Sequence, residues 1–348
     1  MTHTNFEPTL ASMSDRLSEL HTRTRETPLF NPVFQLSLDI SRKLEKGEMD
    51  IAALSGLVDE LEGRSLEARA ERLRNLLAPE DAEARLSSAV RADENFEAYR
   101  AFWERPHMHA VFTAHPTFLL NPAQSEAIAD AVATGRAVET PGDADKPEIT
   151  LRFEHDCAMS ALTSAQDARD RVVSAVLREA CDTYGDQWTD LQPLPFRFAT
   201  WVGYDMDGRT DIKWYTSIAF RLAEKAQRLG RYAASLERLD ETHELLATLR
   251  SAQERAQASA DEFAGDLSDP DRLSAAANRL TAADPDKLLS LQPVIEQLEA
   301  EASESEPEHA VALRTLTASM RADGLGMGWI HFRVNAKQLH NAIRTRLG

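Results

Sequence analysis

Met108–Thr117, MHAVFTAHPT, is a short apolar run that stops at a polar His-Pro-Thr corner. The segment Ala110–Thr113 is too short for a helix and rich in β-formers, and Pro106 and Pro116 bracket it. That pattern predicts a strand covered on both faces. Pro116 cannot continue a ladder and biases His115 towards an extended backbone, so the His115 imidazole is placed at the strand's carboxyl end. In open α/β sheets and in barrels, ligands bind at that end.

Two later stretches repeat the design. Phe196–Tyr204, FRFATWVGY, runs into the polar loop Asp205-Met206-Asp207-Gly208-Arg209. Met327–Asn335, MGWIHFRVN, alternates Ile330, Phe332 and Val334 with Trp329, His331, Arg333 and Asn335, so one face is apolar and the other polar. Helical spacing resumes at Ala336 and carries Lys337. Three strands are therefore predicted, over about 108–114, 196–204 and 327–335, with chemically able residues at each end. These residues are His115, then Asp205 and Asp207, then Arg333 and Lys337.

The rest of the chain reads as helix. Residues 1–104 form an N-terminal helical region, with apolar positions at helical intervals such as Phe34, Leu36 and Ile40, then Ile51, Leu54, Leu57, Val58 and Leu61. Residues 105–348 place further helices around the three strands. A long helix is predicted from Glu148 to Tyr184, stopping at Gly185, and a broken helix or helical hairpin from Tyr215 to about Phe263. The expected fold class is mainly α with a few parallel strands, a helical body around the first strands of an incomplete (β/α) barrel.

Composition narrows the function. The chain has 348 residues, 43% of them hydrophobic, enough for a substantial core. Its 57 acidic and 39 basic side chains give a formal charge of −18, which repels nucleic acid and anionic membrane. A phosphate-bearing substrate would need a local cationic pocket. Cys157 and Cys181 offer neither a metal-ligand spacing nor a disulfide framework, and no segment has the apolar length of a membrane span, so the expected location is the cytoplasm. His107 and His109 read as surface histidines ahead of a strand, and Glu154-His155-Asp156 as a polar helix face.

FTAHPT, Phe112–Thr117, closely resembles the TAHPT signature of phosphoenolpyruvate carboxylases, in which the histidine is catalytic. Downstream and in the same order, Thr200–Arg209, TWVGYDMDGR, is similar to the family's W-[MV]-G-G-D-R-D-G-N-P motif. Phe332–Gln338, FRVNAKQ, resembles its L-R-[ILV]-D-I-R-Q motif. The matches are imperfect. Gly203-Tyr204 stands for Gly-Gly, Met206 for the motif arginine, Asn335 for an aspartate, and Lys337 for the active-site arginine, which loses the planar fork that grips phosphate in two places. The arginines that usually follow the histidine motif are missing, and Arg209 is a candidate replacement.

The resemblance implies a lyase of carbon fixation that feeds the tricarboxylic acid cycle. It would join bicarbonate to phosphoenolpyruvate and release oxaloacetate and phosphate, with Mg²⁺ in the complete enzyme. His115 and Lys337 are the implied catalytic residues, with Arg333, Arg209, Asp205 and Asp207 binding substrate or supporting them. No metal ligand is identifiable in this chain, and the family's glycine-rich loop is not in it. The chain is therefore expected to be an N-terminal portion, inactive alone, that self-associates or joins a C-terminal partner portion. The alternative is a non-catalytic helical scaffold or metabolite-binding half working with a partner chain.

Overall fold

The computed structural model of the chain describes residues 9–24, 27, 30–77, 82–92, 95–113, 120–140, 148–207, 209, 211–284 and 287–347. The protein is mostly helical, with 71% of its residues in helix and one small parallel three-stranded sheet. In chain order the first elements are α1 (Leu10–Thr24), α2 (Pro32–Glu45), α3 (Ile51–Leu77), α4 (Ala82–Val90) and α5 (Phe96–Trp103). Then come β1 (Met108–Phe112), α6 (Pro122–Thr134), α7 (Leu151–Tyr184), a 3₁₀ turn and β2 (Phe196–Thr200). Helices α8 (Trp214–Glu237), α9 (Leu245–Ala264), α10 (Pro270–Thr281), α11 (Gln292–Glu304) and α12 (Pro307–Asp323) follow. Strand β3 (Trp329–Ile330) and helix α13 (Ala336–Leu347) complete the order. No helix among the described residues is long and apolar enough to cross a membrane.

The chain forms two compact units, and they differ from the contiguous division at residue 104 that the sequence suggested. One unit takes residues 1–80 and 120–146, the other 81–119 and 147–348. In the first, α6 returns to α3, burying Ile128 and Ala131 against Leu66 and Ala70. Helix α6 opens on a full capping box: Asn121 accepts from the Gln124 amide, and the Gln124 side chain accepts from the Asn121 amide. The expected apolar stripe of α3 is only partly used, for Ile51, Val58 and Leu61 are exposed.

The second unit is built on α7, 34 residues long and so roughly 50 Å end to end. Thr150 caps its start by accepting from the Phe153 amide, and Gly185 ends it. Its first turns bury Ala158, Met159 and Leu162 against Phe198 of β2, with Ala110 and Phe112 of β1 packed alongside. Its last turns bury Val173, Val176, Leu177 and Ala180 in a large core shared with α5, α8, α9, α11 and α12.

Between these two apolar clusters lies a polar layer. Arg169 of α7 and Arg228 of α8 are both buried and share the buried carboxylate of Asp323, at the end of α12. Arg169 donates to Asp323 through two nitrogens at 2.7 and 2.8 Å, and Arg228 Nη2 lies 2.6 Å from Asp323 Oδ2. Ser319 and Gln166 accept from the same guanidiniums, and Tyr232 lies under Arg228, 4.4 Å from ring centre to Cζ.

All strand pairs are parallel, in the order β1-β2-β3, with Phe112 opposite Thr200 and Thr200 opposite Ile330. The strands are shorter than expected. β2 stops at Thr200 because Trp201–Tyr204 folds into a turn closed by the Tyr204 amide on the Trp201 carbonyl at 2.8 Å. Gly203, at φ 87°, occupies the position of that turn where a side chain is strained, and a Cβ there would meet the Phe220 ring. β3 begins after Gly328, whose φ of 127° brings it so close to β2 that a Cβ would lie 2.7 Å from the Phe198 carbonyl oxygen. Among the described residues, α7 is the helix packed on the sheet, against the Phe198 face. His109, Arg197 and Trp329 lie on the other, where a strand buried on both sides had been expected at β1.

Removing the shared carboxylate should be severe. Asp323→Ala leaves two buried guanidiniums short of a counter-charge, and urea denaturation should show a loss of about 3–5 kcal/mol. An unchanged midpoint and slope would show that the network does not hold α7, α8 and α12 together.

Candidate functional site

The carboxyl ends of β2 and β3 remain in step beyond the ladder. The His331 amide donates to the Thr200 carbonyl at 2.9 Å, the Arg333 amide to Tyr204 at 3.2 Å, and the Met206 amide back to Arg333 at 3.0 Å. This backbone pairing brings the side chains of two predicted strand ends together. Arg333 Nη1 lies 2.8 Å from Asp205 Oδ2, and Asn335 Nδ2 donates to Asp207 Oδ1 at 3.3 Å. Asn335 Oδ1 accepts from the Lys337 amide at 2.8 Å, which starts α13 at the same end of the sheet. Lys337 itself is exposed, and no carboxylate among the described residues pairs with it. His115, the predicted centre of the site, lies outside the described residues.

Arg209 does not join this group. Its guanidinium takes both oxygens of Asp211, at 3.0 and 2.6 Å, and Glu154 of α7 at 3.1 Å. The hydrogen bonds to Asp211 first, and Glu154 after them, hold its pKa above the usual guanidinium value against the opposing effect of burial. The loop thus carries two ion pairs, Asp205–Arg333 and Arg209–Asp211, each using one of the expected cations.

On the open face of the sheet, aromatic and cationic side chains follow one another towards the same end. Arg197 lies over Trp329 at 4.9 Å, His109 meets His331 at 5.5 Å, and Arg333 lies over Trp201 at 5.6 Å. His109 therefore sits against His331, just after β3, which its reading with His107 as surface histidines ahead of a strand did not provide for. The carboxylates do not suit a divalent cation: Asp205 is engaged by Arg333 and the Asp207 amide, and Asp207 by Asn335. Among the described residues, no three His, Cys, Asp or Glu side chains gather as a metal shell.

A second constellation lies in the same unit. His155, read from sequence as part of a polar helix face, is 97% buried on the inner stripe of α7. Its Nε2 is 3.2 Å from Glu224 Oε1, and its ring stacks on Phe220 at 4.0 Å. Glu224 also accepts from the Tyr204 hydroxyl at 2.6 Å and from Arg221 at 3.1 Å. Tyr204, where the family motif has its second glycine, thereby ties the β2 loop to α8. Burial, and after it the Glu224 charge, pushes the Tyr204 phenol well above its ordinary range. The sequence signal for His155 was its spacing from Ala158, Met159 and Leu162, which places it on the apolar stripe.

No protein-family model, curated protein or solved structure matches the chain.

His155 makes the fold sensitive to pH. Burial, the largest single influence, lowers its pKa, but the neighbouring carboxylates, Asp156 at 3.7 Å from Nδ1 and Glu224 hydrogen-bonded to Nε2, together outweigh burial and raise it above the ordinary 6.5. A raised histidine pKa stabilises the fold fully below the unfolded value and loses that contribution as pH rises through the folded value. The stability difference between wild type and His155→Gln should therefore be largest near pH 6 and shrink towards pH 8. Parallel stability–pH curves for the two proteins would contradict this.

Proposed function

We propose that this chain carries the opening strand ends of a phosphoenolpyruvate carboxylase-like site, within an incomplete (β/α) barrel. The later motifs would come from further chain or from a partner. The observation that carries the reading is the convergence of the second and third motif segments at one end of a parallel sheet, through the Asp205–Arg333 pair and the Asn335 cap beside Lys337. The three segments resemble the family's in order, and each follows one of three parallel strands taken in sequence order.

In this reading bicarbonate attacks the phosphoryl group of phosphoenolpyruvate, and the enolate left behind is carboxylated to oxaloacetate. His115 stabilises or transfers a proton around these intermediates, a role suited to a near-neutral pKa. Lys337 offsets the negative charge that develops, with Arg333 held ready by Asp205. Asp205 and Asp207 orient the cations and the loop backbone, and no step is routed through a metal at these carboxylates.

The pairing of Arg333 with Asp205, and of Arg209 with Asp211 and Glu154, favours a second reading. With both guanidiniums already neutralised, this half would bind a metabolite or a partner without turnover.

Substitutions at two positions of the assembled enzyme test the first reading, with oxaloacetate formation as the measurement. His115→Ala should abolish carboxylation. Lys337→Arg should keep or improve substrate affinity because it restores a bidentate donor, whereas Lys337→Met should lose it. Wild-type turnover in folded His115→Ala, or identical kinetics for the Lys337 series, would leave the scaffold reading.

A further inference from the structure

The polar layer of α7 opens on one side into a cleft of about 600 Å³ between α7, α8 and α12. Four arginines line it, Arg171 from α7, Arg228 and Arg231 from α8 and Arg238 just past its end, with Asp167 and Asp170 the only carboxylates in its described walls. Each nearby carboxylate is already spoken for. Asp167 pairs with Arg231, Asp170 with Arg169, and Asp323, beneath the floor, with Arg169 and Arg228.

Among the described residues that leaves Arg171 of α7 and Arg238, the cap just past α8, without a carboxylate partner. Arg238 donates to the Ser235 hydroxyl at 3.1 Å. A second observation is independent of this charge count. Arg228 is 99% buried, and the Nε of Arg228 and of Arg231 are both shielded from solvent with no hydrogen-bond partner. A buried donor left without an acceptor is unfavourable by about 1–3 kcal/mol, more for a charged group. These two guanidiniums add to the positive character of the α8 wall, while the exposed Arg171 and Arg238 are the ones that a ligand in the cleft meets.

We propose that this cleft binds a small phosphomonoester. Its phosphate carries roughly −1.5 to −2 charge at pH 7 with three acceptor oxygens, which matches two uncompensated guanidiniums. The hydroxyls of Ser174 and Thr315 and the apolar flank of Leu239 and Leu316 would take the esterified portion. The volume falls within the range of small-molecule sites. Because the whole chain is strongly acidic, binding is local, and added salt weakens it by screening the exposed Arg171 and Arg238. The site is separate from the strand ends and does not depend on the carboxylase reading.

The probe is glycerol 3-phosphate, titrated calorimetrically into the full chain at low salt, with glycerol as the uncharged control. Saturable binding of the phosphate ester and not of glycerol is expected. Arg171→Ala/Arg238→Ala should weaken it at least tenfold, with part recovered in Arg171→Lys/Arg238→Lys. Both side chains are exposed, so these variants should fold, as circular dichroism would verify. The binding that Arg171→Ala/Arg238→Ala weakens should persist in Arg333→Ala/Lys337→Ala, which separates this cleft from the strand ends. No saturable binding, equal affinity in the Arg171/Arg238 variant, or loss only in the Arg333/Lys337 variant would each overturn the proposal.

Discussion

The shared carboxylate of Asp323 is the contact on which the second unit depends. Arg169 and Arg228 are withdrawn from water on two different helices, and neither charge is tolerable there without a counter-charge in good geometry. A slip of α8 or α12 by one turn along α7 would separate them. Fixing that register also bears on the sheet, because Asp323 stands just before the turn that delivers β3. The Gln166 amide, one turn before Arg169, donates to the Met327 carbonyl at 3.2 Å and fastens the start of β3 to the same layer.

Much of the helical body was legible in the sequence. The stop at Gly185, the hairpin of α8 and α9 and three strands follow from spacing and from local cap and turn chemistry. Strand ends were not legible. Trp201 and Tyr204 have strong strand character, yet Gly203 turns the chain between them. The two compact units also escaped, because α6 belongs with α3 across β1, and nothing local in either segment says so.

The polar residues divide along the same line. Arg209 and Asp211, two residues apart, meet through local geometry. Asp205 and Arg333 could be suspected together only from their places at two strand ends, since 128 positions separate them. His155, Gln166, Arg169, Glu224 and Arg228 sit among apolar residues on buried helix faces, where hydrophobic periodicity treats a charge as an interruption. Their meaning lies in partners on other helices, which a single sequence does not display. The arginine cleft was hidden for that reason, and also because the overall charge of −18 points the other way.

The sheet that organises the strand ends has a consequence for how the chain reaches its fold. β1 meets β2 across 88 positions, from Phe112 to Thr200, and β2 meets β3 across five intervening helices. Closing loops of that length loses chain entropy before any ladder bond is gained, so helices with local contacts form early and the parallel strands come together late. During that interval Phe112, Phe198 and Met327, which end up under α7, are open to other molecules. The same long crossovers that gather distant residues at one edge leave the apolar side of the sheet exposed to aggregation until the strands have met.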